Sequence, residues 1–408
     1  MVYKAAYTTV FDYNLLSLKN ALLDLFMSLG YDKNNPLGHI IKPGMNVFIK
    51  PNWVASKWRE SCPHKDDLYC VITHPNIIEA VADFAALALN GQGKIIIGDN
   101  PSIDADFDEL LKYSGIERLK TKYSVPCEIL DLRPLVCKDL KDYGNKDKMY
   151  KQTGDPSGYI EINLAKNSLL GNVNTSLFRG VFKQRKETIE AHSEQNHLYT
   201  FAGSIYNADV YISIPKMKTH HKAGVTLNLK GLVGTIGNKN QLVHWRIGFP
   251  LIGGDEYSNF FNWFKGTFLS KIKSRGSWNG NDTIWRMVVD LYEAFRQKKR
   301  NYFSIVDGIL AGQGDGPFFP HSIKANTLVA GEDLLAVDIA ATRLMGFAYE
   351  NVPYLHYLSK KYMPLEKITV YNSGIADKDF FYSNKKYLNF TTPATWENLK
   401  QKGIDKCK

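Results

Sequence analysis

The sequence predicts an α/β protein: a mostly parallel sheet covered by helices, in one or two lobes and carrying insertions. Two observations lead there. Short, predominantly apolar runs such as "NVFIK", "KIIIG" and "VYISI" suit strands buried on both faces. Between them lie segments whose apolar residues recur at helical spacing and whose ends carry capping signals.

The elements follow in order. Leu15, Leu18, Leu22, Leu25 and Leu29 fall on one helical face, and Gly30 offers a left-handed stop. A short buried strand then ends at Lys50. In "THPNIIEAVADFAALALNGQG", Thr73 or His74 can cap a helix and Pro75 suits its first position. Ile77, Ile78, Val81, Phe84 and Ala88 form its apolar face. "GKIIIGDNP" delivers Gly98, Asp99 and Asn100 at a strand's carboxyl end. "DADFDELLKYSGI" reads as the next helix and "CEILDL" as the next strand. Together these make an N-terminal α/β lobe, residues 1–137. Residues 138–200 are polar and weakly periodic, with isolated strand signals such as "GYIEINL", and read as an insertion. A second α/β part, residues 201–350, resumes at "ADVYISIPKMK". It continues with a helix from Thr283 to Lys299, a strand in "YFSIVDGI" and a capped helix in "EDLLAVDIAATRLMG". Residues 351–408 form a C-terminal extension.

Lysine and arginine number 51 against 41 for aspartate and glutamate, a formal charge of +10 that favours an anionic partner. Nucleic acid is set aside, because no helix-turn-helix, RNA-recognition or zinc-finger pattern accompanies the charge. An anionic small molecule, a glycan or a membrane surface remains. The five cysteines are scattered and include no ferredoxin-type run, so no iron–sulfur cluster is expected. Reduced thiols in a cytoplasmic protein fit this pattern. Cys62 and Cys70 flank His64 and could pair, or share a metal with it. The N-terminus has no apolar signal core and no apolar run reaches membrane-spanning length. Neither standard export nor an integral membrane segment is expected.

Ligands of open α/β sheets lie outside the carboxyl ends of the strands. Four polar clusters fall at such positions: Lys50 with Asn52, Asp99 with Asn100, the Lys216 to Lys222 segment, and Asp307 leading into "GQGDGP". Their shared placement predicts one cleft. In "IPKMKTHHKAGVTLNLKGLVG", Pro215 ends a strand and Lys216, Lys218, His220, His221 and Lys222 enter a loop. Lysines so concentrated depress neighbouring imidazole and ammonium pKa values unless an anion occupies the site. Exposed lysines of this kind are replaceable within about 0.5 kcal/mol of stability. Lys50, Asn52, Lys216, Lys218, Lys230 and Arg246 are therefore the substrate-binding candidates. His220 and His244 are the proton-transfer candidates, with Asp99 and Asp307 to orient or assist them. Asp255, Glu256 and Asp315 supply carboxylates for a divalent metal. "VDGILAGQGDGP" matches neither a dinucleotide fingerprint nor a P-loop, and reads equally as a flexible loop or an anion cradle.

Residues 259–278, "NFFNWFKGTFLSKIKSRGSW", set Phe260, Phe261, Trp263, Phe264, Phe268, Leu269 and Ile272 beside Lys265, Lys271, Lys273 and Arg275. Such a stretch suits either the headgroup boundary of an anionic membrane or a lid helix packed on the core.

The ordered motifs "IKPNWV", "THPNII", "IIIGDNP", "ADVYISIPKMKTHHKAGVTLNLKGLVG", "VHWRIG", "GGDEY", "IVDGILAGQGDGP" and "VAGEDLLAVDIAATRLMG" resemble the domain-of-unknown-function-362 family. The resemblance is thin from Lys138 to His197 and over roughly the last fifty residues. Many members of that family append a ferredoxin-type cysteine domain, which this sequence does not show. The "HWRIG" and "GGDEY" version resembles members found with polysaccharide-assembly genes. That implies an enzyme acting on an anionic sugar, sugar nucleotide or lipid-linked glycan, by isomerisation, epimerisation or transfer. A non-catalytic binding or assembly factor for polysaccharide export is the alternative. Lysine and histidine in an α/β enzyme also bear a fold-level analogy to the nickel-pincer lactate racemases, with no motif carrying it.

Overall fold

The computed structural model describes residues 2–193, 195–269, 275–383 and 387–400. Eleven strands join in one sheet. In chain order they are β1 (Tyr3–Thr9), β2 (Asn46–Pro51), β3 (Lys94–Asp99), β4 (Cys127–Asp131), β5 (Val210–Ile214) and β6 (Lys216–His220), then β7 (Gly224–Thr226), β8 (Asn301–Asp315), β9 (Phe319–Gly331), β10 (Ile368–Asn372) and β11 (Ile375–Ala376). The sheet runs β11-β10-β1-β9-β8-β5-β2-β3-β4, with β6 pairing β8 and β7 pairing β6. Neighbours from β8 through β5, β2 and β3 to β4 are parallel. A long antiparallel hairpin, β8–β9, and the antiparallel β1–β9 pair complete a mixed but mostly parallel sheet. Strands from residues 1–137 and 201–350 thus share one sheet, and residues 368–376 add its far edge.

The aliphatic runs alternate between two cores. Val47, Ile49, Ile95, Ile97, Val210 and Ile212 face one side, where α1 (Leu15–Leu29) and α2 (Pro75–Leu89) pack. Phe48, Ile96 and Tyr211 face the other, under α6 (Ile284–Phe295), α7 (Leu334–Leu344) and α8 (Pro353–Tyr362). Both faces are covered, which is why these strands carry no polar alternation. The helix ends obey the local signals. Asn14 caps α1 and Gly30 closes it in the left-handed region, while the His74 ring accepts from Asn76 N–H ahead of Pro75. Asp106 caps α3 (Phe107–Ser114), and the short helices α4 (Asn228–Gly231) and α5 (Phe260–Thr267) follow later in the chain.

Two expectations need correction. Lys216 to His220 is not a loop: it is β6, wholly buried and paired with both β8 and β7. "VDGILAGQGD" is neither cradle nor flexible loop but the last ten residues of the fifteen-residue β8. Its glycines allow close approach instead. A Cβ on Gly312 would lie 2.7 Å from the Cys70 carbonyl oxygen and 3.1 Å from the Lys218 Cβ.

Within the insertion, Tyr159–Asn163 pairs with Leu198–Ala202 in a separate two-stranded sheet. Among the described residues no helix is long and apolar enough to cross a membrane.

Candidate functional site

The carboxyl ends of β2, β3 and β6, with the chain after β7 and a segment near residue 240, line a cavity that opens to solvent. Lys50, Asn52, Asp99, Lys218, His220, Lys230 and His244 all line it. Asn100, expected beside Asp99 at the end of β3, lines it as well, and so do Lys239, Ser102, Tyr143 and Phe318, which no sequence motif singled out. Among the described residues, Asp99 is the one carboxylate in the wall. It pairs with Lys50 at 2.8 Å and also accepts the backbone N–H groups of Trp53 and Asn100. Gly234 presses against this pair so closely that a Cβ there would sit 2.3 Å from Asp99 Oδ1.

Among the described residues, none of the other cavity lysines forms an ion pair with a carboxylate, although Asp99 acts on Lys218 and Lys239 from a distance. Lys218 donates to the Val71 carbonyl at 2.8 Å, and the same carbonyl accepts from Asn52 Nδ2. Lys239 donates to the Asn100 carbonyl at 3.0 Å. Lys230 has no hydrogen-bond or ion-pair partner among the described residues, and burial holds its pKa down to about 8. Its backbone is fixed from beneath: buried Asp338 on α7 accepts from Asn228 N, Asn228 Nδ2 and Leu229 N at the start of α4. Burial first, and neighbouring lysines after it, pull Lys218 down to about 7; burial does the same for Lys239. These ammonium groups are thus poised to regain their protons when negative charge enters.

The two cavity histidines are held in opposite tautomers. A backbone N–H can only donate, so the Lys222 N–H at 3.1 Å makes His220 Nδ1 a bare acceptor and leaves the ring proton on Nε2. A carbonyl can only accept, so the Leu242 oxygen at 2.8 Å requires the proton on Nδ1 of His244 and leaves its Nε2 lone pair free. Burial, then repulsion from Lys230 and other cations, pushes the His220 pKa well below its ordinary value. Burial, then Lys222 and Lys230, takes His244 down to about 3. Both rings are neutral at pH 7, one presenting a donor and the other an acceptor.

Other candidates lie elsewhere. Lys216 and Asp307 do not line the cavity; register places them opposite each other on β6 and β8. They form an ion pair with no exposure, joined by the Tyr13 hydroxyl, which donates to Asp307 Oδ1 at 2.9 Å. Asp307 also accepts the His74 N–H at the cap of α2, so the pair fastens three elements together. Arg246 lies outside the cavity wall. Asp255 accepts from its N–H and from the Thr283 hydroxyl, and Glu256 pairs with Arg275 at 3.1 Å. Asp315 is exposed and accepts from Ala394 N–H. The structure does not bring Asp255, Glu256 and Asp315 together. Among the described residues, the group of three side chains that could hold a metal is His64, Asp66 and His321. Cys62 and Cys70 are free thiols and belong to no such group; Cys407 lies outside the described residues.

Fold and site together define an open α/β protein with a buried, lysine-rich cleft at its strand ends and two neutral histidines in the wall. The chain belongs to the family described as a domain of unknown function, DUF362, whose pattern matches residues 47–163 and 171–343. It is 21% identical over 317 residues to a thylakoid-associated protein of Synechocystis, covering 78% of this chain and 68% of that one. Two solved structures are similar at 11% identity. One is a structural-genomics protein from Thermotoga maritima, with a TM-score of 0.35 and coverage of 78% of this chain and 55% of that one. The other is the lactate racemase apoprotein from Thermoanaerobacterium thermosaccharolyticum, with a TM-score of 0.33 and coverage of 80% and 54%. This chain spans little more than half the length of either solved chain.

Proposed function

We propose that the chain is an enzyme that moves a proton at a carbon of an anionic sugar, sugar nucleotide or lipid-linked glycan, as an isomerase or epimerase of polysaccharide biosynthesis. The observation that carries this reading is the opposed pair of neutral histidines beside lysines that lack carboxylate partners. Lys218, Lys230 and Lys239 hold the substrate's negative charge. His244 Nε2 takes the proton from carbon, and His220 Nε2–H donates a hydrogen bond to the oxygen on which charge develops. An empty cleft keeps His244 a weak base, partly because of the lysines around it; a bound anion offsets that repulsion and raises its basicity. A second cavity shares Asn100 and Lys239 with the first and adds Arg133 and Lys146, a basic continuation suited to a longer ligand such as a nucleotide or glycan arm.

The test is incubation in D2O with hexuronic acids, sugar phosphates and nucleotide sugars. We expect deuterium at a carbon next to the carbonyl or carboxylate of one of them, and a rate at least about 100-fold lower in His244→Gln. Ligands that bind yet never exchange would favour the non-catalytic assembly factor instead.

The lipid-linked version of the substrate is favoured by α5. Phe260, Phe261, Phe264 and Phe268 are exposed there, as are Leu251 and Ile252 nearby, with Lys265 and Arg275 exposed around them. Trp263 is half-buried against Phe249. Lys271, Ile272 and Lys273 lie outside the described residues. We read this face as a peripheral contact with an anionic bilayer, in keeping with the name of the thylakoid-associated relative.

A further inference from the structure

The geometry points to a second site, a clip for a divalent transition-metal ion formed by His64, Asp66 and His321 beside the cavity rim. One ligand atom from each of the three lies within 4.8 Å of the others. The two imidazoles stack with ring centroids 3.7 Å apart and planes 22° apart, so the exposed His321 ring must turn for both in-plane lone pairs to reach one ion. His64 Nδ1 is buried and has no hydrogen-bond partner. It stands 3.9 Å from Asp66 Oδ1, too far for a hydrogen bond. Metal–nitrogen and metal–oxygen bonds of about 2.1 Å each would bridge that gap.

The groups around the ligands hold them in place. Asp66 Oδ2 accepts the Ser322 N–H at 2.7 Å, next to His321, which aims the carboxylate. The Asp66 carbonyl accepts from Trp58 Nε1 at 2.8 Å, and the His64 carbonyl accepts from the Cys62 thiol. Two imidazole nitrogens and one carboxylate oxygen suit zinc, cobalt or iron in the divalent state; calcium and magnesium prefer oxygen donors throughout.

Position gives the clip its consequence. His64 and Asp66 belong to the segment that leaves β2 through the cavity-lining residues Asn52 and Val54. His321 lies on β9, just past the cavity-lining residues Pro317 and Phe318. Arg59 already stacks 3.8 Å over the Phe318 ring and pairs with Asp104 at 2.9 Å. A bound ion fastens the same segment to the same hairpin and so fixes one rim of the cleft.

The experiment is Zn2+ binding by competition with a chromogenic chelator, using the full chain after chelator stripping, with Co2+ absorption spectra as the second readout. One equivalent is expected, with a Co2+ spectrum showing nitrogen and oxygen ligation. Affinity should fall at least about 100-fold in His321→Ala, whose side chain is exposed and whose loss spares the core. His356→Gln, away from the site, should bind as the parent does. Melting temperature, read with and without Zn2+, should rise for the parent and stay unchanged for His321→Ala. Equal Zn2+ affinity in the parent and His321→Ala, or no binding by the parent, would overturn the proposal. Neither readout depends on catalysis, so this site and the proton-transfer reading stand or fall separately.

Discussion

Lys216 shows best how far a residue's chemistry departs from what its letter suggests. Among neighbouring lysines it reads as one more exposed cation. In the fold it has no exposure, pairs with Asp307 and touches Tyr13. Lys216→Ala leaves a buried carboxylate uncompensated, so urea unfolding should show a loss of about 3–5 kcal/mol, well beyond the change expected of a surface lysine. Pairing it with Asp307→Asn should recover part of that loss. A single mutant as stable as the parent would place Lys216 on the surface after all. The histidines teach the converse. His220 and His244 were legible as functional residue types, but their tautomers depend on Lys222 N–H and the Leu242 carbonyl, which only the folded backbone supplies.

At the scale of elements, most helices and central strands were legible, because buried aliphatic runs and caps are local signals. The carboxyl ends of β2 and β3 were legible for the same reason. β6 was not, since Pro215 cannot donate to a ladder and so reads as a terminus. Here its carbonyl accepts the Asp307 N–H at 2.9 Å, the register shifts beyond Lys216, and pairing with β8 resumes at Lys218. The long β8 was hidden by glycines whose role is packing against Cys70 and Thr327 rather than freedom. Helix α5 lies between these cases: its aromatic face was readable, and the structure leaves much of that face uncovered. Sedimentation with vesicles containing anionic lipid should carry the protein down at low salt. Phe261→Ser with Phe268→Ser should abolish this without loss of fold. No sedimentation of the parent, or equal sedimentation of the double mutant, would remove α5 as the contact.

For the whole molecule, the buried lysines couple stability to pH. Burial holds Lys218 and Lys239 down to about 7 and Lys230 down to about 8 in the folded chain, below the ordinary lysine value of 10.5. Between those values the unfolded chain binds more protons, so stability rises with pH. The buried carboxyls Asp290 and Asp338, raised by burial to about 7, oppose this rise only at the lower end of that range, where they lose their last protons. The urea midpoint should therefore increase from pH 7.5 to 9.5, by at least about 1 kcal/mol in free energy. Added phosphate should stabilise more at the lower pH. A flat or falling midpoint would mean that these lysines are solvated.

The proposed proton transfer requires a cleft whose two histidines are neutral and oppositely protonated. Nitrogen-15 NMR of the histidine rings, assigned with His220→Gln and His244→Gln, reads this directly. Near pH 7 the proton is expected on Nε2 of His220 and on Nδ1 of His244, with neither ring charged. The same tautomer at both residues, or an imidazolium at either, would contradict it.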